Sequence, residues 1–239
     1  MRRAMRRSFA RIARRTRTAW TKRHAARSLP EPDADPAVIA RALEFQTHDG
    51  PVAEPDPAID ALCGDALSHH AGAEAVTAAA ARWFLATGRP EQAVLACENA
   101  FSHNAAFIGK SHAVQTAWGE ALLALDRAGE AVWRLKAACA APGATVDDWA
   151  RLARALCRCG RYGEALDAGQ RASRRPWVRP DAADDALVTM ATAHYCLGQM
   201  AEAEGILLEL LARTPHHAEA RRLIRKVWGF MGKGIQHDS

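Results

Sequence analysis

Four stretches of this chain repeat one pattern. A helix ends near a turn residue, and a second helix then opens with a small residue after Glu or Gln. The stretches run Trp83 to Ala93, Leu122 to Ala131, Leu156 to Ala165 and His194 to Ala203. With Ala93, Ala131, Ala165 and Ala203 as anchors the spacings are 38, 34 and 38 residues. A period near 34 residues is that of stacked helical hairpins, and such a repeat dictates the architecture of everything around it. Composition agrees. Alanine supplies 54 of 239 residues, leucine 20, and valine with isoleucine only 17. Abundant helix formers and few β-branched residues argue against a sheet protein.

The register extends beyond the anchors. Twelve residues before them stand Ala81, Gly119, Ala153 and Ala191; seven after them stand Ala100, Ala138, Ala172 and Leu210. Small residues at these positions let two antiparallel helices approach to the usual 8–10 Å. Nine before the anchors come Phe84, Leu122, Leu156 and His194, placed on the packed face. Because the internal spacing holds in all four units, the four extra residues of two units are expected in connecting loops, near residues 105–111 and 176–184. Upstream, Asp35-Pro36 opens a helix to about Thr47, since proline suits a first helical turn. Residues 57–70 form another, with Ile59, Leu62, Cys63, Ala66 and Leu67 on one face; the two make a degenerate first hairpin. Downstream, residues 218–231 place Leu223, Ile224, Val227, Trp228 and Met231 against Arg221, Arg222, Arg225 and Lys226. One face for the last repeat and one for water is what a capping helix needs.

These segments resemble the tetratricopeptide repeat family over about residues 73–231. The best units are Trp149 to Ser173, with Gly160-Arg161-Tyr162-Gly163-Glu164-Ala165 at its turn, and Leu187 to Pro215. The first two units depart from the family pattern at the closing proline, absent near Ala105 and one residue early at Pro142. The resemblance implies an all-α, right-handed α-solenoid whose first helices line a concave, protein-binding groove. Eleven residues before each anchor this face carries Arg82, Glu120, Arg154 and Thr192. Eight before, it carries Leu85, Leu123, Cys157 and Tyr195; seven before, Ala86, Ala124, Arg158 and Cys196. Arg154 and Arg158 form a basic i, i+4 pair, either a contact for a partner or a solvated face. The Asn and Lys of the carboxylate clamp that binds chaperone tails are missing from these places.

The net charge of +5 hides a split. Residues 1–30 carry ten Arg and Lys22 with no acid, leaving −6 for residues 31–239. Within this arm Met5, Phe9, Ile12, Thr16 and Trp20 recur at helical spacing, flanked by Arg6, Arg7, Arg11, Arg14 and Arg15. A basic amphipathic helix lies on an anionic membrane surface with its apolar face down. An acidic protein partner is read alongside the membrane surface; behind them stand an organellar transit peptide, a solvated tail and an RNA-binding arm, for which only Phe9 and Trp20 could stack on bases while the repeats lack aromatic–basic interleaving. A twin-arginine export signal is rejected, because Arg14, Arg15, Arg17, Lys22 and Arg23 stand where an apolar region should follow. No stretch reaches the roughly 18 apolar residues of a membrane span. The six cysteines make no CxxC pair and read as free thiols in a reducing compartment.

Chemistry-bearing motifs are few. Residues 108–111, Ile-Gly-Lys-Ser, match the end of a phosphate-binding loop, but the glycine required five residues before Gly109 is Asn104. The pairs His69-His70 and His216-His217 point about 100° apart on a helix and cannot share a tetrahedral ion. No nucleophile–base set is assembled locally. The expectation is a non-catalytic interaction scaffold without cofactor or metal, binding one or more proteins in its groove, cytoplasmic and either free or peripheral at the inner membrane surface, organellar if the arm is an address. Its organisation is an arm (1–30), a linker with the degenerate hairpin (31–72), the repeat domain with its cap (73–231), and a tail (232–239).

Overall fold

The computed structural model describes residues 29–47, 52, 55–173 and 180–232, which contain twelve α-helices and no strand among the described residues. In chain order these are α1 (Pro36–Thr47), α2 (Pro57–His69), α3 (Glu74–Ala86), α4 (Pro90–His103), the single turn α5 (Ala105–Ile108), α6 (His112–Ala124), α7 (Ala128–Ala140), α8 (Val146–Arg158), α9 (Tyr162–Ser173), α10 (Pro180–Cys196), α11 (Met200–Arg213) and α12 (Ala218–Phe230). The arm residues 1–28 and the tail residues 233–239 lie outside the described residues.

Four hairpins, α3–α4, α6–α7, α8–α9 and α10–α11, stack in sequence order. Each first helix packs on the first helix before it (α1–α3, α3–α6, α6–α8, α8–α10, α10–α12) and on the second helix before it (α4–α6, α7–α8, α9–α10, α11–α12). This nearest-neighbour scheme is an α-solenoid, and it explains why small residues recur. All twelve small-position residues named above, including Leu210, are buried. At Gly119 a Cβ would stand 2.5 Å from the Cγ of buried Leu135 on α7, so only glycine fits that helix pair without a shift.

The turn within each hairpin has a fixed construction. Gly88, Asp126, Gly160 and Gly198, each five residues before an anchor, have φ between 58° and 78°. The amide after each of them donates back to the carbonyl five residues earlier: Arg89 to Phe84, Arg127 to Leu122, Arg161 to Leu156 and Gln199 to His194, at 2.8–2.9 Å. That bond closes the helix end, and the left-handed residue it requires is why glycine recurs here. Asp126 is the one non-glycine with positive φ among the described residues. Aspartate tolerates that region better than most side chains.

Three expectations are corrected. The extra residues are not simply loop: one set winds into the single turn α5, and the other lengthens α10 to 17 residues where α3, α6 and α8 have 13. His194 is half-exposed rather than packed, its ring bonded to Gln199 Oε1 at 2.7 Å. In the first hairpin, α1 packs chiefly on α3 and touches α2 little. There Ile39, Ala40 and Leu43 are buried, and α2 is fixed by Asp60, which takes both Nη atoms of Arg89 (2.5 and 3.0 Å) and the indole N–H of buried Trp83 (2.6 Å). The capping helix is as expected: Leu223, Ile224 and Val227 are buried, and Trp228 donates to Glu204 at 2.6 Å.

Overpacking tests the register. Ala165→Trp, with Gly119→Leu as a second site, should each lower stability in urea unfolding by at least about 1–3 kcal/mol. A change of a few tenths would place these residues outside the helix contacts.

Candidate functional site

The first helices carry the residues expected to line a groove, and most of their charge is already used. Arg82 on α3 pairs with Glu44 of α1 at 2.8 Å. Glu120 on α6 accepts from Arg151 Nε on α8, and Arg151 also lies 3.7 Å from Asp148. Burial opposes the Arg151 charge, but Glu120, with Asp148 and Asp147 beyond it, outweighs burial and pushes its pKa above the ordinary arginine value. Arg158 is exposed but donates from Nη1 to the carbonyl of Leu123 at 2.6 Å, closing the end of α6; Leu123 is buried beneath it. Thr192 bonds back to Val188 in its own helix. Tyr195 is half-buried and packs against the C-terminal core. Arg154 alone of these six projects into solvent with no ion pair or hydrogen bond among the described residues. The arm residues Arg6, Arg7, Phe9, Arg11, Ile12, Arg14, Arg15 and Trp20 fall outside the described residues.

A polar centre joins α6 to α8. Asp148 is 1% exposed and accepts from the backbone N–H and hydroxyl of Thr145 (2.7 and 2.6 Å), from His112 Nε2 (2.6 Å) and from the Thr116 hydroxyl (2.8 Å). Burial on its own would raise the carboxyl. The hydrogen bonds from Thr145, His112 and Thr116 outweigh it and hold Asp148 below the usual carboxylate range. Thr145 and Asp148 also form the capping box of α8. Sequence reasoning missed this centre, although the Thr-x-x-Asp spacing of the box was a readable signal.

The opposite side, between second helices, differs from repeat to repeat. Over α6, the gap between α4 and α7 is filled by Phe101 and Trp118, edge to face at 5.9 Å, with the Arg134 guanidinium 3.4 Å above the indole. Burial there pulls Arg134 below the ordinary arginine value. At the same register one repeat on stand Cys139, Leu152 and Ala168, all smaller, and the gap between α7 and α9 is a cavity of about 470 Å³. Trp149, under the Arg171 guanidinium at 4.8 Å, and the Lys136–Glu164 ion pair at 3.2 Å frame it.

Other candidates resolve into structure. Ser111 caps α6, accepting from the Val114 N–H at 3.2 Å and donating to Glu74 at 2.7 Å, so residues 108–111 join two helices and follow no strand among the described residues. His217 caps α12 through Nδ1. All six cysteines are unpaired; burial pushes the Cys63, Cys97 and Cys139 thiols up to about 12 and Cys157 to about 11. No group of three or more potential metal ligands occurs among the described residues, and no helix there is long and apolar enough to cross a membrane.

No protein-family model matches the chain, and no curated protein matches it in sequence. Among solved structures it is similar to YrrB, described as a TPR protein with an unusual peptide-binding site: TM-score 0.57, 15% identity, 72% of this chain and 85% of that one. It is also similar to a tetratricopeptide repeat protein from Parabacteroides merdae: TM-score 0.54, 12% identity, 83% of this chain and 68% of that one. The chain has the tetratricopeptide repeat fold.

Asp148→Ala should destabilise the fold by roughly 2–4 kcal/mol, because His112, Thr116 and Thr145 lose their common acceptor and α8 its capping box. The acid limb carries the sign. A carboxyl whose native pKa is depressed contributes fully above its unfolded value near 3.9, and the contribution is lost as pH falls through the lower native pKa. The variant should therefore show a shallower loss of stability below about pH 4. Equal acid slopes in both proteins would remove Asp148 from this role.

Proposed function

We propose that the chain is a non-catalytic scaffold that binds a protein segment along its first-helix groove, and that the basic arm attaches it to an anionic membrane surface. The groove reading is carried by Arg154. Its neighbours Arg82, Glu120 and Arg158 are bound to other parts of the stack, whereas Arg154 is left to solvent in the middle of the row. The lining is otherwise small or apolar (Ala86, Ala124, Tyr195), with the thiols of Cys157 and Cys196, so an extended or helical segment bearing one carboxylate opposite Arg154 suits it. The peptide-binding site of YrrB, on the same fold, supports a groove function in general terms.

Reversing Arg154 alone tests this cleanly, because Arg158 also holds the end of α6. Arg154→Glu should leave the helical circular dichroism and unfolding midpoint unchanged. It should weaken binding at least tenfold to acidic peptides selected on the unaltered chain, a loss of about 1.4 kcal/mol or more. An unchanged peptide set and affinity would mean that the arginine only solvates the face.

The arm is assigned by charge and pattern. Eleven cations on a segment with an apolar stripe should bind vesicles containing phosphatidylserine, and weaken with salt as screening shortens to about 8 Å at physiological ionic strength. Phe9→Ala with Trp20→Ala, at constant charge, should reduce that binding. Equal binding by the double variant would make the arm a plain polycation.

A further inference from the structure

The neighbouring repeats show how this stack fills the space between successive second helices. Between α4 and α7 three side chains close the gap. Phe101 and Trp118 meet edge to face, and the Arg134 guanidinium lies 3.4 Å from the centre of the indole and 5.4 Å from that of the phenyl ring. In the α10–α11 repeat the position of Trp118 is taken by Met190. It packs so closely on α9 that a Cβ at Gly169 would stand 2.5 Å from its Cγ.

Between α7 and α9 the positions of Phe101, Trp118 and Arg134 hold Cys139, Leu152 and Ala168, and the cavity of about 470 Å³ remains. That volume is within the range of roughly 300–1,000 Å³ found for sites that enclose a ligand. Its floor is apolar. Leu152 and Ala168 are buried, and the Cys139 thiol, pushed up to about 12 by burial, stays uncharged. An indole and a guanidinium reappear here from other positions, for Trp149 is half-buried at the cavity and Arg171 lies 4.8 Å from its ring. What is missing is the second aromatic ring, which Phe101 supplies one repeat earlier. The rim carries two cations, Lys136 and Arg171, and two carboxylates, Glu164 and Asp167, so its charge balances. A neutral rim over an apolar floor suits an uncharged ring flanked by polar backbone.

We propose that this cavity is a docking site for an aromatic side chain of a partner polypeptide, which enters between α7 and α9 and meets Trp149 as Phe101 meets Trp118. Aromatic pairs gain from offset or edge-to-face contact beyond the area they bury, and a guanidinium over the ring adds to it. The occupant is a side chain because a side chain of this same chain fills the equivalent space next door. Leu152 and Arg154 point about 200° apart around α8, so the site is separate from the arginine that carries the groove reading and does not rest on it. A scaffold with both contacts holds two protein segments at once.

Calorimetric titration of the full-length chain with N-acetyl-phenylalanine amide, and with N-acetyl-leucine amide as the apolar control, reads the preference. The aromatic amide should bind at least tenfold more tightly. Trp149→Ala should weaken it at least tenfold with the helical circular dichroism unchanged. Cys139→Phe, which fills the cavity in the register of Phe101, should abolish it and raise the unfolding midpoint; if that variant does not fold, Trp149→Ala decides alone. Arg154→Glu should leave it unaltered. No binding of the aromatic amide, equal binding of the two amides, or unchanged binding in Trp149→Ala would overturn the site. Binding of p-cresol at least tenfold tighter than the amide would make it a small-molecule site and overturn the partner side chain. Loss of binding in Arg154→Glu would merge the two contacts and overturn their separation.

Discussion

Close approach between the two helices of a hairpin is the condition on which the rest of this structure depends. Gly119 lets Leu135 stand where a methyl group would otherwise be, and the buried Ala93, Ala131, Ala165 and Ala203 keep the start of every second helix small. With the helices that near, each first helix meets four others, and many of its side chains are buried or committed to neighbours, exposed Arg154 being an exception. α3 shows the limit: residues 76–81 are all buried, five of the six being alanine or valine. Burial of small side chains contributes little area each. The stack therefore relies on larger, fully buried residues such as Trp83, Leu122, Leu135 and Leu207.

The parts of the fold legible in sequence were those fixed by backbone geometry. A left-handed residue five positions before an anchor and a small residue twelve before it leave marks that survive any change of surface, so hairpins and the C-terminal cap could be placed within a few residues. Asp126 shows the tolerance of the rule: the turn keeps its φ and its Arg127–Leu122 bond without glycine. The insertions were less legible, because a four-residue excess can enter a loop or a helix at similar energy. The two here went different ways, into α5 and into α10. His194 was misplaced because a position in register is not always a buried one.

The row expected to line a groove could be read from sequence as positions and not as a charge pattern. Eleven residues before each anchor come Arg82, Glu120, Arg154 and Thr192, yet Arg82 and Glu120 are bonded to partners that no spacing within a repeat could name, while Thr192 bonds only within its own helix. The partners of Arg82 and Glu120 lie 38 and 31 residues away, in the neighbouring part of the stack. An interaction that crosses a repeat boundary is visible only once the boundary is packed. The Asp148 centre is of the same kind: its capping box is local, but His112 and Thr116 come from the preceding hairpin.

Repeats that share a backbone register can still differ in what they offer. Phe101, Trp118 and Arg134 close one gap between second helices; Cys139, Leu152 and Ala168 leave the next open. Both arrangements are buried, with Trp118, Leu152 and Ala168 all part of the core. The register constrains the anchor positions to small residues and tolerates different sizes at these others, and it is there that a solenoid acquires local character. Exposed Arg154 on α8 arises in the same way, at a position the stack does not need, and it leaves the α8–α9 hairpin undisturbed.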